Sequence, residues 1–235
     1  MKHSEESELM DRPGVSSRLL EGDLSNLRTL NRALGAKRGI FKFLAATIAK
    51  EGLREFSLLD VGTGSADIPV AIVQWARKKG LAARIVALER HPVTATVARR
   101  RAGDYPEIAI VRADAFAPPF APGVFDFVLT SQVLHHFPEQ KIPALLRLWA
   151  TLARRALLVS DLIRHPLAYC GIKVLTTIFT RNAITRTDAP LSVRRAFTVD
   201  EWREIFRRAG VGPADVLPLF PFRLFARLRL SRETL

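Results

Sequence analysis

Short apolar runs alternate with helical patterns through the middle of the chain, and this alternation limits the folds that the chain can adopt. The predicted strands cover residues 57–61, 84–88, 108–111, 124–130 and 156–160. Strands that alternate with helices form right-handed crossovers, which build a mostly parallel sheet with helices on both faces. The early strands are almost entirely apolar, as expected when both faces of a sheet are covered.

Helical patterns fill the spaces between the strands and continue toward both ends of the chain. They are recognised by apolar residues that recur every three or four positions. The predicted helices are two within 19–50, one over 66–79, one after Pro92, one opened by Pro138 and one from Thr198 to Gly210. Thr198 and Glu201 have the spacing of a capping box, which fixes the start of the last helix.

The end of the chain has a different period. Apolar residues occupy positions 222, 224, 226, 228 and 230, with arginines at 223, 227 and 229. Strict alternation is typical of a strand whose two faces meet different surroundings. We therefore expect an antiparallel strand at an edge of the sheet.

Length and composition favour one cytoplasmic domain over residues 1–235. No stretch has the ~18–20 uninterrupted apolar residues of a membrane span. Residues 1–12 are polar and mostly acidic, unlike a secretory signal. The single cysteine, Cys170, excludes a disulfide framework or a cysteine-based metal site, and we expect its side chain to be buried.

The chain is strongly basic. It has 36 Lys and Arg against 23 Asp and Glu, a net charge of +13. This charge is compatible with nucleic acid, an anionic membrane surface or an anionic substrate as partner. A host that favours arginine would produce the same excess.

Polar residues follow the first strand in the sequence Asp60-Val-Gly62-Thr63-Gly64. The glycines allow a tight turn, and the following helix offers free N–H groups to an anionic group. Asp67 stands where a dinucleotide fingerprint has its third glycine. The carboxylate of Asp60 suits a cationic or ammonium-bearing ligand.

The next strand ends also carry polar groups. Glu89 follows the second strand, 25 residues after Gly64, where an acid can accept both ribose hydroxyls. Asp114 follows the third strand and is placed to accept a hydrogen bond from an adenine amino group. Ser131 follows the fourth strand. Together these positions predict a nucleoside ligand with a charged amino-acid tail.

This series resembles the class I S-adenosylmethionine-dependent methyltransferases. The matching segments are LLDVGTGSAD at 58–67, Glu89, RADAFAPPF at 112–120 and FDFVLTSQVLHHF at 125–137. The small-molecule branch that includes quinone-biosynthesis methyltransferases is the most similar. The resemblance implies a Rossmann-like doubly wound α/β fold, with a mostly parallel seven-stranded sheet and an antiparallel edge strand.

The resemblance also implies S-adenosyl-L-methionine as cofactor and assigns residues to it. Gly62, Thr63 and Gly64 would hold its methionine end, Glu89 its ribose, and Asp114 and Ala115 its adenine. Ser131 would lie beside the sulfonium, and Asp60 and Arg90 complete the expected cofactor site. Two features depart from the family pattern, namely Ala66 in place of a glycine and Leu-Ala-Arg-Arg at 152–155 in place of Lys-Pro-Gly-Gly.

His135 and His136 follow the fourth strand, beside the expected sulfonium. A neutral imidazole is suited to removing a phenol proton near pH 7, so both are candidate catalytic bases. Alternatively, one caps the next helix and the other packs beneath the substrate. We predict no metal site, because adjacent residues rarely converge on an ion and no third ligand is evident.

Residues 162–197 are too long for a simple connection. With a helical cap over residues 1–50, this segment is expected to form a lid over a hydrophobic substrate. Tyr169, Phe179 and Phe197 are candidates to line the pocket, and the arginines at 181, 186, 194 and 195 are candidates to bind an anionic group. A solvated helical insertion is the alternative.

The favoured function is methyl transfer to the oxygen or carbon of a small, hydrophobic, aromatic, quinone-like or polyketide-like acceptor. The Pro-Pro-Tyr signature of base amino methyltransferases and the paired cysteines of cytosine methylation are absent. Nucleic acid is thus a weaker partner, although an RNA methyltransferase with a basic surface stays an alternative, as does an inactive cofactor-binding protein. Peripheral membrane association is compatible with the favoured function, and the sequence leaves the oligomeric state open.

Overall fold

The computed structural model describes residues 1–12 and 14–230, which form a seven-stranded sheet flanked by helices. The strands are β1 (Glu55–Val61), β2 (Ala82–Leu88), β3 (Ile108–Val111), β4 (Phe125–Ser131), β5 (Ala153–Leu162), β6 (Ala214–Leu219) and β7 (Arg223–Arg229). The five strands predicted in the first part of the chain are all confirmed as β1 to β5, which pair in parallel.

The order of the strands is β3-β2-β1-β4-β5-β7-β6. The antiparallel strand predicted over 222–230 is confirmed as β7, which pairs with both β5 and β6. It lies one position in from the edge, because β6 covers its outer side. The sequence analysis missed β6, whose Asp215 and Pro218 are unfavourable strand residues that the solvent side of an edge tolerates.

Eight helices accompany these strands in the described residues. They are α1 (Ser17–Ala33), α2 (Arg38–Glu51), α3 (Asp67–Lys78), α4 (Pro92–Ala102), α5 (Ile142–Leu152), α6 (Pro166–Phe179), α7 (Ala183–Arg195) and α8 (Val199–Ala209). Both hydrogen bonds of the predicted capping box start α8. The expected start of α5 at Pro138 is wrong, since a 3-10 turn over Glu139–Lys141 separates this proline from the helix.

Successive side chains of the central strands point to opposite faces of the sheet and build two cores. On one face, Leu59 and Val128 pack in a cluster with Trp149 of α5 and Trp202 of α8, both fully buried. On the other face, Phe127 packs with residues of α2 and α3. The parallel strands are thus held in register from both sides, which fixes the positions of their carboxyl ends.

A third, smaller cluster joins elements that are distant in the sequence. Leu20 and Leu24 of α1 pack with Val97 of α4 and Ile184 of α7. Leu9 and Met10 of the N-terminal segment are partly buried against the same cluster, as are Val15 and Val93. This cluster brings α1 and α7 together over the ends of the central strands.

The predicted role of the aromatic residues of 162–197 is wrong. Phe197 is buried in the core against Trp202, while Phe179 is 76% exposed. Tyr169 lies under the ammonium of Lys173 on α6. The cavity described below is lined by none of these three among the described residues. Within the same part of the chain, no helix has both the length and the apolar character needed to cross a membrane.

Candidate active site

A cavity of about 910 Å³ opens at the carboxyl ends of β1, β2, β3 and β4. Its size is in the range of sites that hold a cofactor together with a small ligand. Every residue that the sequence analysis assigned to cofactor or catalysis lines it. These are Asp60, Gly62, Thr63, Gly64, Glu89, Arg90, Asp114, Ala115, Ser131, His135 and His136.

The loop after β1 needs a glycine at position 62. Gly62 has a φ of +72°, and a Cβ there would lie 2.5 Å from a methyl group of Val133. A side chain is therefore excluded by both conformation and space. Ala66, the departure from the family glycine, also has a positive φ of 57°, which costs an alanine roughly 1–2 kcal/mol.

Asp60 is the buried carboxyl group beneath this loop. It is 2% exposed, and Thr63 Oγ1 donates a hydrogen bond to its Oδ2 over 2.7 Å. Burial raises the pKa of Asp60 to about 7, and the charges of Asp67 and Glu89 add to the effect. A cationic ligand group beside it would favour the ionised form.

Glu89 ties the ends of β1 and β2 together. Its Oε2 accepts a hydrogen bond from the Gly64 N–H over 3.1 Å, and its Oε1 accepts one from the His91 N–H over 2.8 Å. Burial raises the pKa of this carboxyl group, although the backbone donors oppose the shift. Each oxygen keeps capacity for one further donor, such as a ribose hydroxyl.

The loop after β3 presents a polar group next to apolar ones. Asp114 Oδ1 accepts from the Phe116 N–H over 2.9 Å, and the buried Trp149 indole donates to the Ala115 carbonyl over 2.9 Å. Phe116 and Phe137 form an edge-to-face pair with centroids 5.2 Å apart. Sequence reasoning missed this pair, which offers flat apolar surface beside Ala115.

Ser131 ends β4 at the floor of the cavity. Its Oγ is buried and has no hydrogen-bond partner among the described residues. An unpaired buried hydroxyl is costly, so a partner from a bound molecule would satisfy it.

His135 is held by a carboxylate from the neighbouring strand. Its Nδ1 lies 2.6 Å from Oδ1 of Asp161, and both side chains are almost fully buried. The carboxylate can only accept, so Nδ1 carries the proton, and Nε2 points toward Glu8, whose Oε1 lies 3.7 Å away. Arg195 of α7 donates to the His135 carbonyl over 2.9 Å and fixes the backbone of this turn.

His136 lies among acidic groups from the N-terminal segment. Its Nδ1 is 2.7 Å from Oδ2 of Asp11, and its Nε2 is 3.8 Å from Oε2 of Glu8. Burial opposes the charged ring, but Glu8 and the hydrogen bond to Asp11 raise the pKa of His136 to about 9. The side chain is thus an imidazolium at neutral pH.

The expectation that no third metal ligand is available is wrong, because Glu8 faces both imidazoles. The donor atoms of Glu8, His135 and His136 lie within 4.8 Å of one another. Ligands of a tetrahedral zinc ion lie only about 3.3 Å apart, given bonds of about 2.0 Å. The spacing and the raised pKa of His136 together favour an ion pair between Glu8 and an imidazolium.

The N-terminal segment is the part of the site that sequence reasoning missed. Asp188 of α7 accepts hydrogen bonds from the Leu9 and Met10 N–H groups, each over 2.9 Å. Ser192, one turn later on α7, donates to Glu8 over 2.9 Å. These partners lie nearly 180 residues apart in the sequence, and the segment has no periodicity that could have predicted them.

The site fits the cofactor that the sequence predicted. The glycine loop leaves open space, because a Cβ at Gly64 would meet no atom within 4 Å. Buried acids suited to a cation and to a ribose stand at two successive strand ends, and an unpaired hydroxyl follows at β4. Fold and cavity are therefore those expected of an α/β protein that binds a nucleoside with an amino-acid tail.

Comparisons with known proteins agree with this class. Residues 59–158 match the family model described as a methyltransferase domain. No curated protein is significantly similar in sequence to the chain.

Solved structures share the fold at low sequence identity. The magnesium protoporphyrin IX methyltransferase ChlM from Synechocystis PCC 6803 has 17% identity and a TM-score of 0.57, over 84% of each chain. The plantazolicin methyltransferase BamL has 13% identity and a TM-score of 0.67, over 90% of this chain and 91% of its own. The CMeT domain of the citrinin polyketide synthase has 14% identity and a TM-score of 0.57, over 75% of this chain and 46% of its own.

Residues 59–158 match a methyltransferase domain, and the sheet order and the cavity are those expected of a class I S-adenosylmethionine-dependent methyltransferase. The predicted enzyme class, fold and cofactor are confirmed. The assignment of single residues to cofactor or catalysis stays a prediction and is developed below.

Proposed function

We propose that the enzyme methylates an oxygen or carbon of a small hydrophobic acceptor, aromatic, quinone-like or polyketide-like, with His135 as the general base. The observation that carries this proposal is that His135, which lines the cavity, is held from behind by Asp161, with Nδ1 and Oδ1 only 2.6 Å apart. Solved structures of similar fold support a small acceptor, since their names refer to a protoporphyrin, a polyketide synthase and plantazolicin.

The cofactor residues keep the roles that the sequence predicted. The Gly62–Gly64 loop and Asp60 would hold the methionine end, with the carboxyl group of Asp60 for its ammonium. Glu89, with Arg90 beside it, would hold the ribose, and Ser131 would stand at the sulfonium. Asp114 and Ala115 would hold the adenine, for which the Phe116 and Phe137 pair offers apolar surface.

When bound, S-adenosylmethionine supplies an activated methyl group on a positively charged sulfur. The protein contributes alignment and control of one proton. His135 Nε2 takes the acceptor proton, because Nδ1 is already held by Asp161. The buried Asp161 also stabilises the imidazolium that forms, as a carboxylate does in a hydrolase triad.

His136 has a different role from that of its neighbour. Its raised pKa, about 9, leaves no free lone pair for a base at neutral pH. The imidazolium instead binds the carboxylates of Glu8 and Asp11 and so closes the N-terminal segment over the cavity. Of the two candidate bases, we therefore retain His135.

The acceptor side of the cavity is formed by α1, α7 and the N-terminal segment. Apolar side chains contribute part of this surface, namely Met10, Leu24, Leu27 and Ala189. The segment 162–197 reaches the cavity through α7, and of its four candidate arginines only Arg195 is among the described lining residues. A cover built from two helices and a short segment suits a small acceptor.

The experiment is a turnover assay with a panel of apolar phenols, hydroquinones and hydroxypyrones. S-adenosylhomocysteine release is measured together with the mass of the product. We expect turnover with at least one class and a loss of about 10²–10⁴-fold in His135→Gln, with calorimetric affinity for S-adenosylhomocysteine unchanged. His136→Gln is the matched control and should keep more activity.

Three outcomes would count against this proposal. Methylation of RNA, with salt-sensitive binding and no activity on the panel, would assign the basic surface to nucleic acid. Cofactor binding without any methyl transfer would indicate an inactive partner protein. Wild-type turnover in His135→Gln would show that His135 is not a general base and that the protein contributes only the alignment of the reactants.

A further inference from the structure

Helix α6 is apolar, yet nine of its 14 residues are exposed. Of its 14 residues only Thr176 is buried. Leu167, Val174, Ile178 and Phe179 are 66%, 59%, 69% and 76% exposed. Four large apolar side chains exposed on one short helix are a feature that marks an interaction site.

Three of the four exposed apolar side chains share one side of the helix, and Phe179 stands at its C-terminal end, about 120° from them. Leu167, Val174 and Ile178 stand at positions i, i+7 and i+11, which a period of 3.6 residues places on one stripe. Cys170 lies at the margin of this stripe and is exposed, so the expectation that it would be buried is wrong. We call Leu167, Cys170, Val174, Ile178 and Phe179 the α6 face.

The inner side of α6 carries the half-buried Ala168, Ile172 and Leu175, and polar bonds fix the C-terminal end of the helix. Asn26 of α1 donates to the hydroxyls of Thr180, just after the helix, and of Thr185 on α7, over 2.8 and 2.9 Å. Arg186 of α7 donates to the carbonyls of Thr177 and Thr180. A surface helix ordinarily buries its apolar side and exposes its polar side. In α6 large apolar side chains also occupy the outer side, where a partner would remove them from water.

The charge around the α6 face selects that partner. The sequence has no acidic residue between Asp161 and Asp188, while it has Arg164, Lys173, Arg181 and Arg186. Arg164 is paired with Glu201, whereas the other three have no ion-pair partner within the described residues. A surface of apolar residues flanked by unpaired cations is complementary to anionic lipid headgroups over an acyl layer.

We propose that the α6 face binds the surface of an anionic lipid bilayer, with α6 lying flat in the headgroup region. At 1.5 Å per residue the 14-residue helix is about 21 Å long, too short to span a bilayer but suited to the interface. A second copy of the chain would instead bring the cations of two α6 helices together, which repel each other.

This location is consistent with the proposed function, although it does not depend on it. Helix α6 packs on α7, and α7 lines the cavity through Asp188, Ala189, Ser192 and Arg195. A bilayer on the outer side of α6 therefore lies one helix away from the acceptor site. Apolar acceptors partition into lipid and would reach the enzyme there.

The experiment uses the single cysteine of the full chain as a reporter. Cys170 is labelled with an environment-sensitive fluorophore, and vesicles of phosphatidylcholine with or without phosphatidylglycerol at about a third of the lipid are added. We expect a blue shift with the anionic vesicles and about fivefold weaker binding for each of Lys173→Ala and Arg181→Ala. Flotation of unlabelled protein with the same vesicles provides an independent measure.

Ile178→Asp tests the apolar part of the surface. We expect roughly tenfold weaker flotation or more, with circular dichroism and affinity for S-adenosylhomocysteine unchanged. Val124→Asp is the matched control, because Val124 is 44% exposed and precedes β4 at the opposite end of the sheet. This variant should float like wild type.

Three results would overturn the proposal. The first is equal binding to neutral and anionic vesicles, and the second is flotation of Ile178→Asp at the wild-type level. The third is that no vesicle binds, while light scattering shows a dimer of the wild type that Ile178→Asp dissociates. Vesicle binding is measured without turnover, so its failure would leave the proposed methyl transfer untouched. Conversely, an inactive His135→Gln should still bind vesicles.

Discussion

Replacing Asp60 by asparagine tests how the buried carboxyl group of the cofactor loop is charged. Burial raises the pKa of Asp60 from 3.8 to about 7. Between these two pH values the unfolded chain has lost its proton and the native state has kept it, so the free energy of unfolding falls as pH rises. At 1.36 kcal/mol per pH unit, the full loss is roughly 4 kcal/mol and is complete above about pH 7.

The asparagine side chain of the Asp60→Asn variant has nearly the same shape but no charge to bury. Between about pH 5 and pH 8.5 the wild type should lose about 3 kcal/mol of stability that Asp60→Asn does not lose. Urea denaturation followed by tryptophan fluorescence at both pH values measures this difference. The comparison cancels any effect of the amide that does not depend on pH, such as a weaker bond from Thr63.

The same variant bears on the cofactor. If Asp60 meets the ammonium group, wild-type affinity for S-adenosylhomocysteine should rise as pH increases through about 7, while Asp60→Asn should bind weakly at every pH. Asp67→Asn removes one of the charges that raise the pKa of Asp60, so in this variant the rise in affinity should move to lower pH. Stability profiles of Asp60→Asn and wild type that run parallel over this pH range would refute the reasoning.

Three further predictions concern the other charged groups of the site. Glu89→Ala should weaken calorimetric binding of S-adenosylhomocysteine by roughly 10–100-fold, because a charged acceptor of hydrogen bonds is lost; unchanged affinity would contradict the ribose assignment. Asp161→Asn should lower kcat and leave cofactor affinity intact, with a shifted pH–rate profile as the sign that it acts through His135. His136 has a raised pKa of about 9, so its ion pairs contribute stability that is full below about pH 6.5 and is lost as pH rises through 9. In urea denaturation, the free energy of unfolding of His136→Gln should fall less steeply over this pH range. An unchanged slope would show that the ion pair of His136 with Glu8 and Asp11 does not contribute to stability.

Local patterns were sufficient to predict the strands that form the cofactor rim. Each of β1 to β5 is an apolar run bounded by turn residues, and parallel strands bring their carboxyl ends to one rim. Gly62, Glu89 and Asp114 could therefore be placed in one cavity before their contacts were known. Strand β6 escaped prediction because an edge position tolerates Pro218 and Asp215, which no local pattern anticipates.

The sequence by itself determined the alternation of strands and helices, the order of polar groups along the rim, and hence the class of enzyme and its cofactor. These features depend on period and spacing, which neighbouring residues encode. Only the tertiary structure distinguished His135 from His136, since one meets Asp161 of β5 and the other meets Asp11 of the N-terminal segment. Contacts across 26 and 125 residues set those charges, and long-range packing has no signature in local periodicity.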